Sequence, residues 1–204
     1  MLFGEYEGIS FLHPMKTAMT SVESFIRLNV REYIGENKFM NFNGHRTPNE
    51  IMWRYEHPEN VFDHYFCVMF ARNPYDRLVS FYHHMRQIGG YAQGICKRLT
   101  FEELALYPLL TQVMRPMSDY ITYQGRGIIN VLGRFETLNN DVDQLINLID
   151  FGQNAQKVKC RWESYGHAMK TEHDTYSTYY NAKTFFEVGN KYSEDFENFG
   201  YERA

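Results

Sequence analysis

Glycine is missing where a nucleotide-binding loop would most need it: none occurs between Gly8 and Gly35. A Walker A loop requires G-x-x-x-x-G-K-[ST], so Lys16-Thr17 is not part of an ordinary ATP or GTP P-loop. Cysteine is scarce. Cys67, Cys96 and Cys160 form no C-x-x-C pair, which excludes a disulfide framework and reads as reduced thiols, with Cys67 a small core residue inside an apolar run. The chain has neither a His/Cys spacing for zinc nor a carboxylate cluster for magnesium, so no metal is expected. Nowhere do 18 apolar residues follow one another, and the first eight residues carry Glu5 and Glu7 in place of a basic n-region and an apolar h-region. A soluble, cytoplasmic protein without stable membrane insertion is therefore expected. Positive charge is not in excess either. Lys and Arg number 21 against 25 Asp and Glu, a net charge of −4, which argues against a nucleic-acid surface and requires any anion to be held by a local cluster. Repeats and low-complexity linkers are absent.

What is present is ample core material: 204 residues, 44% hydrophobic and 17% aromatic, enough for one domain. Near the start, residues 8–12 read as a short buried strand that stops at Pro14-Met15-Lys16. Met19, Val22, Ile26, Val30 and Tyr33 then recur at three- and four-residue steps, predicting a helix over about 21–34. Thr20 followed by Glu23 has the form of a capping box, which would set the free amides of the first turn beside Lys16, Thr17 and Ser21. Strand, tight loop and helix N-terminus form a phosphate-binding geometry. A mere cap with a solvated lysine accounts equally well for this stretch by itself.

The same pattern recurs along the chain. Residues 38–42 read as a strand, and Thr47 as N-cap, Pro48 and Glu50 open a helix to about Tyr55, leaving His45 between them. Residues 64–71 are nearly continuously apolar, as in the middle of a parallel sheet, and stop at Arg72. Asn73 and Pro74 start a helix over 74–87 whose stripe is Tyr75, Leu78, Tyr82 and Met85; Asp76, Ser80, His83 and Gln87 fall on another face. The plain reading of that face is solvated, with Arg72 pairing a carboxylate. Residues 89–125 look like an elaboration with a short helix at 100–107, and they or the surroundings of Trp53 and Trp162 are the expected place of a second-substrate pocket. A strand over 128–132 leads through Gly133 and Arg134 to a helix over 139–149. Lys157, Lys159, Arg161 and Lys170 read as a solvated face before helical segments at 173–181 and 183–192. Strands alternating with helices predict a parallel α/β sheet, and Lys16, His45, Arg72 and Arg134, each following a strand, would share its carboxyl edge.

These residues carry a resemblance. The stretch His13, Lys16, Thr17, Ala18, Thr20, Ser21 is similar to the 5′-phosphosulfate loop H-x-P-K-T-A-G-T-S of sulfotransferases that use 3′-phosphoadenosine 5′-phosphosulfate (PAPS). Arg72-Asn73-Pro74-Tyr75-Asp76-Arg77-Leu78-Val79-Ser80 matches that family's 3′-phosphate signature R-N-P-x-x-R-L-V-S. Gly44-His45, the run Arg134 to Leu138, Tyr192 to Asp195 and Phe199-Gly200-Tyr201 extend the likeness over nearly the whole chain, closest to the heparan-sulfate 2-O and chondroitin-type carbohydrate sulfotransferases. The resemblance implies a single sulfotransferase-like domain over 1–204, a parallel sheet flanked by helices in a P-loop NTPase-like arrangement, and PAPS as cosubstrate without a metal. It implies that Lys16, Thr17, Ala18, Met19, Thr20, Ser21, Arg72 and Ser80 bind the nucleotide. Lys16 and His45 would be catalytic, with His45 the general base, and Arg134 would touch the acceptor or pair with Glu136. The acceptor would be a hydroxyl on a glycan or small molecule. Two positions depart from the pattern, Pro14-Met15 and Met19, the latter where the family has glycine. They leave open a PAPS- or PAP-binding module impaired in catalysis; a small-molecule kinase of related fold is a third reading. If Met19 strains the loop, Met19→Gly should bind nucleotide as well or better.

Overall fold

The structure, a computed structural model, describes residues 5–35, 39–40, 44–55, 61–88, 93–165 and 173–204. In chain order the elements are β1 (Gly8–Phe11), α1 (Met19–Tyr33), β2 (Phe39–Met40), α2 (Pro48–Tyr55), β3 (Tyr65–Ala71), α3 (Pro74–Ile88), α4 (Gln93–Arg98), α5 (Phe101–Leu106) and α6 (Leu110–Val113). They continue with β4 (Thr122–Tyr123), β5 (Arg126–Gly127), β6 (Val131–Arg134), α7 (Leu138–Ile149), α8 (Ala155–Tyr165), α9 (Ala182–Lys191) and α10 (Ser193–Phe199). The fold is mixed α/β with a parallel sheet flanked by helices, as expected. It gathers into two compact units, one from Met1–Ala71 with Asp119–Ala168 and one from Arg72–Ser118 with Met169–Ala204.

The first unit holds the sheet, ordered β2-β1-β3-β6 with every neighbouring pair parallel. Side chains alternate across it. Ile9, Phe11, Phe66, Val68 and Phe70 bury one face against Val22, Phe25, Ile26 and Val30 of α1, Val142, Leu145 and Ile146 of α7, and Val158 and Trp162 of α8. In β6, Gly133 pairs with Phe70. A Cβ at that glycine would stand 2.5 Å from the Phe70 ring, so the close approach of ring to backbone requires glycine there.

The strand predicted over 128–132 forms later, and the reason is local. Ile128 N–H donates to the Ile121 carbonyl, and Asn130 engages Cys67 twice: its side-chain oxygen accepts from Cys67 N–H at 2.7 Å and its own N–H donates to the Cys67 carbonyl at 2.9 Å. The ladder proper starts at Val131, which makes Arg134 the last residue of β6 instead of a residue beyond the strand. The order β2-β1-β3 also places the topological switch point of the sheet between β1 and β3, where open α/β sheets bind ligands at their carboxyl ends.

The second unit is helical around α3, whose Tyr75, Leu78, Val79, Phe81 and Met85 are buried. Asn73 caps it, accepting from Tyr75 N–H at 2.9 Å. Thr100 and Glu103 form a full capping box at α5, as do Asn181 and Thr184 at α9. Because Asn181 is extended as the N-cap of α9, the helix predicted over 173–181 shrinks to a 3-10 turn at Tyr176–Tyr179. α10 was not foreseen, nor was α8. Arg161 of α8 is partly exposed, in keeping with a solvated face, and also paired: it donates to Asn29, Glu32 and Tyr33 at 3.0, 2.7 and 3.1 Å and ties α8 to α1. Trp162 is core, with its indole N–H on Asn139. Lys170 and parts of the predicted strand 38–42 lie outside the described residues. Among the described residues no helix is long and apolar enough to cross a membrane.

Candidate active site

The loop leaving β1 is held at both ends. Leu12 N–H donates to the Val68 carbonyl at 2.9 Å, and the buried Thr17 hydroxyl donates to the Pro14 carbonyl at 2.9 Å. On either side of Thr17 the backbone turns through a left-handed residue, Lys16 at φ 68 and Ala18 at φ 66. Ala18 is the N-cap of α1, which therefore begins at Met19, earlier than expected. The capping box of Thr20 and Glu23 does not form. No side chain caps the helix and no acid stands in its first turn. Thr20 is exposed, and Glu23 is recruited by His13 and Arg27 instead.

This donor set fits an anion. A 15-residue helix points amides and the positive end of its dipole at the loop, with no acidic residue in its first turn, and Lys16 stands two residues before the cap. The Thr17 hydroxyl proton is already taken by Pro14, so its contribution to such an anion would be its amide. Ser21 is buried within the first turn.

Met19 is not a loop residue at all. Its side chain is 1% exposed and packs in the core with Val22 and Phe25, and the positive φ falls on Ala18. The premise that Met19 strains the cradle, on which equal or tighter binding by Met19→Gly rests, does not hold. Met19→Ala should destabilise by about 2 kcal/mol or more as a core truncation, while Ala18→Gly should stabilise by about 0.5–1 kcal/mol, relieving a left-handed alanine against the entropy of a new glycine. Chemical denaturation of the two variants tests the assignment, and a stabilising Met19→Ala would overturn it.

His45 sits on the adjacent strand's exit. It is exposed, and its Nδ1 lies 2.7 Å from the carbonyl oxygen of His13. A carbonyl only accepts, so Nδ1 carries the hydrogen and Nε2 is the basic nitrogen. The backbone of His45 is fixed as well, its carbonyl accepting from the Tyr120 hydroxyl at 3.0 Å. Two residues on, Thr47 opens α2 with its N–H on Glu50 at 2.9 Å and its carbonyl accepting from Ile51 N–H at 3.0 Å, as the sequence indicated. Sequence reasoning missed Tyr120 and the part His13 plays through its backbone, because a carbonyl acceptor 32 residues away leaves no mark in the sequence.

Lys16, His45 and Arg134 thus belong to the first unit, and Arg72 and Ser80 to the second. Arg134 ends β6 opposite Ala71, with its N–H on Asp141 at 2.7 Å. Arg72 is 6% exposed and donates from Nε to Asp76 at 2.8 Å, the carboxylate pairing expected for it. Ser80 lies two turns into α3 and is buried, unlike the solvated face expected. Arg77 of the same signature is fully buried and pairs with Asp195, so it serves the fold. Among the described residues no group of three or more His, Cys, Asp or Glu could hold a metal ion.

A family model described as "Sulfotransferase family" matches residues 2–202. No curated protein and no solved structure matches the chain. With the parallel sheet, the amide-lined loop after β1 and a match over nearly its full length, the chain belongs to the sulfotransferase family.

Proposed function

We propose that the protein transfers a sulfuryl group from PAPS to a hydroxyl of an acceptor, a carbohydrate by its closest resemblance, by in-line displacement with His45 as general base. PAPS would supply the sulfuryl group on a phosphate leaving group. The observation that carries the reading is the 2.7 Å contact of His45 Nδ1 with the His13 carbonyl: with Nδ1–H given to that oxygen, Nε2 takes the proton of the attacking hydroxyl. Lys16 and the amides that open α1 hold the 5′-phosphate end and neutralise charge as it develops there. Arg72 and Ser80 bind the 3′-phosphate, the guanidinium fork suiting two oxygens at once. A module unable to catalyse rested on Met15 and Met19 as loop faults, and Met19 is a core residue.

The test is incubation of the full chain with labelled PAPS and a panel of glycans, phenols and small alcohols. Label should pass to at least one hydroxyl class, with carbohydrates first. Tight binding of the desulfated nucleotide with no transfer to any member of the panel would reject the enzymatic reading.

A further inference from the structure

The His13 carbonyl that sets the His45 tautomer belongs to a residue whose own ring is tied down. His13 Nε2 lies 2.5 Å from Glu23 Oε2, and Glu23 gives its other oxygen to Arg27 Nε at 2.5 Å. Arg27 lays its guanidinium over the Phe39 ring, 4.6 Å from the centroid. Phe39 is in β2, the strand whose exit carries His45, and it also stacks on Phe11 of β1. The contacts close a circuit from the loop after β1, through α1, to β2, and His45 bridges its two ends. The His13 and Glu23 side chains are 11% and 20% exposed, so their charge-assisted bond is poorly screened. Burial alone would raise the Glu23 carboxyl, but His13 and Arg27 outweigh it and hold it below the ordinary carboxylate range. At neutral pH it is therefore a carboxylate with a donor on each oxygen.

An ion pair that merely pinned α1 would not need to reach the residue whose carbonyl orients His45. We propose that Glu23, braced by Arg27 and acting through His13, is the positioning residue of this site: it fixes the loop after β1 so that the His13 carbonyl holds His45 with Nε2 basic. None of the three touches a reacting atom in this scheme. Glu23 sets a geometry, and its loss should act on the orientation and tautomer of another residue's ring. The role rests on His45 being the base, and the two can fail separately.

The test combines 15N NMR of the imidazoles in the folded full chain with steady-state kinetics. In the parent protein His45 should be in the Nδ1–H form, the less usual tautomer of a neutral histidine. Glu23→Gln should shift it toward a mixture with the Nε2–H form. Turnover should fall by up to about a hundredfold, the scale set by misplacing a catalytic group by roughly 1 Å, while KM for PAPS changes by less than about threefold. Arg27→Lys, which keeps a cation on Glu23, should retain most turnover, and Arg27→Met should behave like Glu23→Gln and replaces it if that variant does not fold. An unchanged His45 tautomer and unchanged turnover in a folded Glu23→Gln protein, beside an inactive His45→Ala, would overturn the positioning role alone. A shifted tautomer beside a fully active His45→Ala would instead remove His45 as base and leave the structural linkage standing.

Discussion

Replacement of His45 by alanine is expected to leave nucleotide affinity unchanged and to lower turnover by about a hundred- to ten-thousand-fold, the usual contribution of a general base. The fold should not notice. His45 is exposed, so truncation opens no cavity, and the Tyr120 hydroxyl bonds to its backbone carbonyl, which every variant keeps. The helix that follows is capped through Thr47 and Glu50 without the imidazole. His45→Asn refines the experiment, because an amide can still donate to the His13 carbonyl in the manner of Nδ1 but offers no basic nitrogen. Both variants should bind the desulfated nucleotide in calorimetry and fail in single-turnover transfer. If His45→Asn turned over within about threefold of the parent, proton transfer by this ring would not be part of the mechanism.

How much of this is legible in the sequence depends on how far apart the partners lie. The helix starts at Pro48 and Pro74 were legible because donor and acceptor sit within three residues of each other. β3 was legible because a strand buried on both faces needs an unbroken apolar run. The box of Thr20 and Glu23 has the same local form and failed for a tertiary reason: His13, brought alongside by the loop, and Arg27 one turn on compete for the carboxylate. α8 was hidden because only Val158 and Trp162 of its residues are buried, so its apolar stripe is too thin to show as a period among lysines and arginines. α10 was hidden by its acidic residues, of which Asp195 turns inward.

The candidate site divides along the same line. Residue types and their places after strands pointed to Lys16 and His45, and the parallel sheet sets both at the carboxyl edge of neighbouring strands β1 and β2. Which atom of His45 is basic depends on a backbone carbonyl, which has no residue type to read. The signature around Arg72 mixes two kinds of arginine that a sequence cannot sort. Arg72 keeps an ion pair with the partly exposed Asp76, whereas Arg77, five residues later, pairs with an Asp195 that is as fully buried as itself.

That interior arginine gives the largest expected effect on stability. Asp195→Ala should cost about 3–5 kcal/mol, the range for breaking a buried ion pair by removing one partner. Arg77 and Asp195 are both 0% exposed. Asp195 accepts from the Met117 amide at 2.9 Å, the Ser118 amide at 2.8 Å and the Ser118 hydroxyl at 2.8 Å, while Arg77 Nη1 stands farther off at 3.4 Å. Arg77 also donates from Nη2 to the Arg115 carbonyl at 2.5 Å. The carboxylate thus holds Met117 and Ser118 as well as answering the guanidinium, and alanine would strand two amides and a charge together. Arg77→Met should be milder, since it leaves the carboxylate with its three donors from Met117 and Ser118. In the Asp195→Ala background it should cost less still, or restore stability, because the stranded charge leaves with it. Denaturant unfolding of the two single variants and the double closes the cycle. A loss under about 1 kcal/mol for Asp195→Ala, the level of an exposed pair, would mean that water reaches this network in solution.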